Sequence, residues 1–92
     1  MSVVGAATQI CSQRFDRQFF DFPTDVRERI QQRVDQIGRN LRGYPHFKME
    51  GADTYRLRVG DYRVIYQVDA AKNEIYLVAV GHRRDIYKKP SN

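Results

Sequence analysis

Arg56, Arg58, Arg63, Arg83 and Arg84 crowd into residues 54–87 together with His82 and Tyr87. A guanidinium is a rigid planar fork that meets phosphate oxygens two at a time, so several on one surface form a candidate phosphate clamp. Histidine is the side chain that titrates near neutrality and can pass a proton in either direction. A phenol acts as a base only where neighbouring cations lower its pKa. Guanidinium stays protonated at any ordinary pH, so Arg56 and Arg58 can hold charge but cannot take a proton.

These residues ride on three runs rich in β-branched and aromatic side chains. They are 54–59, 62–68 and 73–80, separated by short turn signals, which predicts an antiparallel meander. Gly60-Asp61 is a two-residue connector whose glycine tolerates positive φ, and it predicts a tight hairpin. Asp69 to Asn73 forms a longer connector. Period two sends Tyr55, Leu57 and Val59 to one face and Arg56 and Arg58 to the other. Arg63 follows the turn, and Gly81-His82-Arg83-Arg84 closes the third strand. The plain alternative is the wet face of a sheet, where arginine is ordinary.

The other elements must supply the core behind that face. Residues 8–12 read as a weak first strand. Ser12 suits the cap of a helix in which Phe15, Phe19 and Phe22 form a buried stripe. Phe22-Pro23-Thr24-Asp25 breaks and restarts the chain, and a second helix runs to about Asn40. Its Val26, Ile30, Val34, Ile37 and Leu41 make an apolar stripe, with a polar side read as solvation. Gly43-Tyr44-Pro45 ends the helical hairpin, and 46–53 form a loop whose cations, His46 and Lys48, face either a ligand or solvent. The expected fold is α+β: a two-helix hairpin on one face of a four-stranded, mainly antiparallel sheet, with the other face partly open to carry the guanidinium cluster.

Ninety-two residues suit one domain, 1–92, near the lower limit for a single core. The 41% hydrophobic and 29% charged composition is that of an ordinary soluble chain. No run approaches the length of a membrane span, and the N-terminus lacks a secretory pattern. Cys11 is single, which excludes a disulfide framework and fits a reducing cytoplasm. Two distant histidines make a structural metal site an unfavoured reading, and no cofactor is expected. A formal charge of +5, with twelve Arg against four Lys, favours a polyanionic or acidic partner met by planar recognition.

Four stretches carry a family resemblance that covers nearly the whole chain. They are Phe22-Pro23-x-x-Val26-x-x-x-Ile30, Lys48-Met49-Glu50-Gly51, Tyr55 to Tyr66, and Gly81 to Tyr87. In them the sequence resembles the RelE/ParE superfamily of toxins from type II toxin–antitoxin modules, closer to the RelE side. The resemblance implies a microbial-ribonuclease-like fold, endonucleolytic cleavage of mRNA on the ribosome, and neutralisation by a cognate antitoxin. Carried over by motif, Arg63, His82, Arg83 and Tyr87 are the catalytic candidates. Lys48, Arg56, Arg58, Arg84 and Lys88 are candidates for RNA and phosphate binding. Arg56 and Arg58 stand where the best-known member has lysines. The chain is also two residues shorter across the hairpin turn and between Arg83 and Tyr87.

For RNA the nucleophile is the 2′-hydroxyl beside the scissile phosphodiester, so cleavage needs no metal. It needs a proton acceptor, positive charge on the non-bridging oxygens, and a proton donor for the departing 5′ oxygen. Arg63 and Arg83 suit the clamp, while His82 and Tyr87 share the proton-transfer candidacy. Two other readings stand beside this one. A ParE-like inhibitor would bind DNA gyrase and cut nothing, and a basic RNA-binding module would use the same face without catalysis.

Overall fold

The computed structural model describes residues 5–49 and 53–86. The chain runs β1 (Thr8–Cys11), α1 (Gln13–Phe20), α2 (Thr24–Arg39), β2 (Phe47–Lys48), β3 (Tyr55–Val59), β4 (Tyr62–Asp69) and β5 (Glu74–His82). The five strands form one sheet in the order β1-β5-β4-β3-β2. All neighbours are antiparallel except β1, which lies parallel to β5. The α+β class and the two helices match the expectation. Among the described residues the sheet has five strands rather than four, because Phe47 and Lys48, expected in a loop, pair with Arg56 and Tyr55.

Each helix starts and packs for local reasons. Ser12 caps α1, its Oγ accepting from the Phe15 N–H at 2.9 Å. Pro23 precedes α2 with no side-chain cap, and Asp25 complements the first turn. Val26, Ile30, Val34, Ile37 and Leu41 are all buried, as their spacing requires. They meet Leu57, Val59, Val64, Tyr66, Ile75, Leu77 and Val80 from the sheet. Phe15 is buried and stacked on Phe19, and Phe22 meets the Tyr62 ring edge-on at 5.0 Å. Among the described residues no helix is long and apolar enough to cross a membrane.

Two irregularities position the site. At the β3–β4 turn Val59 pairs with Tyr62, and Gly60 takes φ +58°. The Arg29 guanidinium lies so close that a β-carbon at Gly60 would stand 2.6 Å from its Nη2. The second irregularity is a bulge in the β4–β5 ladder. Ile65 pairs with Ala79 but Tyr66 pairs with Leu77, leaving Val78 extra. Helix α1 and its cap serve the backbone around it: Ser12 Oγ donates to the Val78 carbonyl at 2.6 Å, and Gln18 Oε1 accepts from the Val80 N–H at 3.0 Å.

Candidate functional site

Strand register decides which side chains share the face away from the helices. Arg58 stands directly opposite Arg63, and Arg56 opposite Ile65. Paired residues point to the same side, so Arg56, Arg58 and Arg63 form one group there. Arg56 and Arg58 are exposed and form no ion pair among the described residues. Arg63 is half-buried and folded onto its own turn, its Nη1 donating to the carbonyls of Gly60 at 2.8 Å and Tyr62 at 2.9 Å.

Across β4, Arg63 pairs with Gly81, and the missing side chain there is used by the chain's own continuation. A β-carbon on Gly81 would lie 3.4 Å from Ile86 Cδ1. Ile86 is 3% exposed, so the segment after β5 turns back onto the arginine face beside Arg63. That turn is tied by the N–H groups of Asp85 and Ile86, which donate to the His82 carbonyl at 2.8 and 3.0 Å. Arg83, at its start, donates its N–H to the Asp61 carbonyl at 2.7 Å, and its Nε lies 3.8 Å from the Asp61 carboxylate. One two-residue turn thereby holds both Arg63 and Arg83. Tyr87 and Lys88 lie outside the described residues.

His82 is placed differently from the expectation. Counting by twos from the buried Ile75 and Leu77 assigns it to the arginine face, but the bulge at Val78 reverses the alternation. His82 pairs with Tyr62, on the helix side of the sheet, with the two rings 5.9 Å apart. Its Nδ1 accepts from the Arg84 N–H at 3.2 Å, which closes the turn. Lys48 is likewise on the other side, paired with Tyr55 at the edge, and the residue that does face the arginines from β2 is Phe47. Arg84 is exposed in the turn.

His46 is half-buried, with both ring nitrogens bonded within the protein. Its Nε2–H donates to the Leu41 carbonyl and its Nδ1 accepts from the Tyr66 hydroxyl, both at 2.7 Å. The acceptor at Leu41 is what fixes this tautomer. Burial, reinforced by Tyr44 and Tyr55, pushes the Tyr66 phenol well above the usual tyrosine range, so it remains a donor. The pair anchors the chain between α2 and β2.

A cleft of about 360 Å³ opens beside this anchor, lined by Arg33, Tyr44, Phe47, Arg56, Leu57, Arg58 and Arg63. Arg33 comes from the polar side of α2, which the sequence reading treats as plain solvation. Strand β2 is only two residues long, so among the described residues no strand pairs with the β3 edge beyond Arg56. Among the described residues no three His, Cys, Asp or Glu side chains gather as a metal site would require. The arrangement can grip an anion and offers two aromatic rings next to it.

The model of the family described as "ParE toxin of type II toxin-antitoxin system, parDE" matches residues 10–87. The intact RelBE toxin–antitoxin complex of E. coli is similar in structure, with a TM-score of 0.71 and 25% identity over 84% of this chain and 96% of that one. The RelB–RelE complex of Methanococcus jannaschii gives 0.65 and 26% over 85% and 94%. The archaeal RelE–RelB complex of Pyrococcus horikoshii gives 0.72 and 23% over 88% and 99%. No curated protein sequence matches the chain.

Proposed function

The chain belongs to the ParE/RelE superfamily of type II toxin–antitoxin toxins, on its RelE side, and from that premise we propose that it is a ribosome-dependent mRNA endoribonuclease. The observation that carries the reading is the grouping of Arg56, Arg58 and Arg63 on one sheet face, with Arg83 held at its margin by the same turn that holds Arg63. Catalysis of this kind uses the substrate's own 2′-hydroxyl as nucleophile. The oxygen attacks the adjacent phosphorus, the 5′ oxygen departs, and a cyclic phosphate remains on the upstream fragment.

Arg63 and Arg83 serve as the clamp on the non-bridging oxygens. Removing one such preorganised donor costs on the order of 3 kcal/mol in the barrier. Arg56 and Arg58 hold the flanking backbone. For proton transfer we favour Tyr87 over His82. His82 stands on the opposite face, whereas Tyr87 directly follows Ile86, whose side chain lies against Gly81 on the arginine face. Its chemistry requires guanidinium groups beside it to stabilise the phenolate.

The partner implied is a cognate antitoxin, as in the RelB–RelE complexes named above. Acidic residues on it would complement the arginine face. The decisive experiment maps cuts on an mRNA undergoing translation, with wild type beside Arg83→Ala. Cuts that vanish with the variant support the reading, and an intact message with wild type removes it. The family model's ParE description favours a second reading, inhibition of DNA gyrase without cutting. Supercoiling and translation reactions run side by side separate the two.

A further inference from the structure

Phe47 is 67% exposed, on an edge strand of two residues, facing the same way as Arg56. A large ring left in water beside cations needs a reason. It shares its cleft with Tyr44 and with four arginines from three elements: Arg33 of α2, Arg56 and Arg58 of β3, and Arg63 of β4. Among the described residues no acidic side chain lines that cleft, and Arg33, like Arg56 and Arg58, has no ion-pair partner. A flat ring among uncompensated guanidinium groups suits a ligand that alternates planar bases with phosphates, as an unpaired polynucleotide does. A docked protein helix would need a wider apolar strip than Phe47, Tyr44 and Leu57 provide among four arginines.

The backbone that carries the ring is fixed before any ligand arrives. Its pairing with Arg56 fixes the backbone, and upstream the His46 bonds to Leu41 and Tyr66 pin the segment that carries Tyr44 and Phe47. Tyr44 in turn packs against the His46 ring at 5.5 Å.

We infer that the cleft over the β3 edge is a subsite for single-stranded RNA, in which Phe47 stacks on one unpaired base and Arg33 holds a phosphate beyond those gripped by Arg56, Arg58 and Arg63. The inference rests on reading the arginine face as an RNA site. It extends that site around the sheet edge onto α2, and makes Phe47 a base-binding residue that touches no reacting atom.

The test is binding of a short fluorescein-labelled 2′-O-methyl oligoribonucleotide to the full chain, read by anisotropy. Such a strand has no free 2′-hydroxyl and cannot be cut, so the measurement is independent of catalysis. Phe47→Ala weakens binding by about tenfold or more, and Phe47→Trp restores it. An oligonucleotide carrying abasic sites binds wild type no better than Phe47→Ala binds the intact one. Arg33→Gln lowers the slope of affinity against salt by about one. Unchanged affinity in a Phe47→Ala protein with a native circular-dichroism spectrum overturns the inference, as does an equal loss on the abasic strand. Loss of antitoxin binding with oligonucleotide binding intact also overturns it, in favour of a protein contact. If wild type leaves translated mRNA uncut but these binding results hold, the cleavage reading falls and the subsite stands.

Discussion

Arg83 is bound to Asp61 twice, through its backbone N–H to the carbonyl oxygen at 2.7 Å and through Nε, 3.8 Å from the carboxylate. The first contact sets where the arginine leaves the sheet. The second is an exposed, long ion pair that any phosphate can displace. Asp61→Asn keeps the first and weakens the second. It should change stability by less than about 1 kcal/mol, as exposed pairs do. Cleavage and RNA affinity should rise, since a competing carboxylate is gone. Thermal melts and a translation-coupled cleavage assay check both halves, and a fall in cleavage would show that the carboxylate positions Arg83.

Replacing Gly60 attacks the same turn through its backbone. At φ +58° a side chain is strained, and the Arg29 guanidinium occupies its space. Gly60→Val should cost about 1–3 kcal/mol. It should also lower cleavage more than the stability loss explains, because Arg63 and Arg83 both depend on this turn. Denaturant titration and cleavage measured well below the melting temperature separate the two effects.

The two proton-transfer candidates should part clearly. His82→Ala should lower cleavage by well under the roughly hundredfold expected of a lost acid–base group, and Tyr87→Phe by about that or more. Single-turnover rates on programmed ribosomes measure this. A large loss with His82→Ala alone would return the role to the imidazole.

Much of the fold is legible in the sequence because its signals are local. The stripe from Val26 to Leu41, the Ser12 cap and the Gly60-Asp61 turn each need only a few neighbouring residues to be recognised. Arg56, Arg58 and Arg63 follow, since they sit within one hairpin. His82 escapes because its face depends on an uninterrupted alternation. The extra Val78 breaks it, and the groups that accommodate the bulge, Ser12 and Gln18, lie far away in sequence. Strand β2 escapes because two residues have no periodicity. Phe47 and Arg33 become neighbours of the arginine group only through the sheet edge.

The His46–Tyr66 pair gives a pH signature. The unfolded chain releases the Tyr66 proton near the ordinary value of 10.0, whereas the folded chain holds it to higher pH, chiefly through burial. Above that value the native state binds more protons than the unfolded one. Stability is therefore fully present below about pH 10 and falls as pH rises past it. Tyr66→Phe should flatten that alkaline slope. At neutral pH it should cost about 1–3 kcal/mol, because His46 Nδ1 loses its donor. Melts across the alkaline range test the slope.

Cys11 should react slowly for an exposed thiol. Partial burial first, and then the charge and hydrogen bond of Asp16, push it above its usual value of 9.0 and deplete the thiolate. Asp16→Asn should speed alkylation by iodoacetamide at neutral pH, with the rate read by mass spectrometry.

The parallel docking of β1 on β5 has a consequence for how the protein is made. Ser12, just after β1, reaches across to Val78 of β5, 66 residues later. During synthesis β1 must wait for its partner, and long-range pairing of this kind closes late. A nascent chain that already carries the whole Arg56–Arg63 hairpin still lacks the strand that brings Arg83 alongside it. The arginine group is therefore completed only after β5 has been synthesised and docked, however early the hairpin closes.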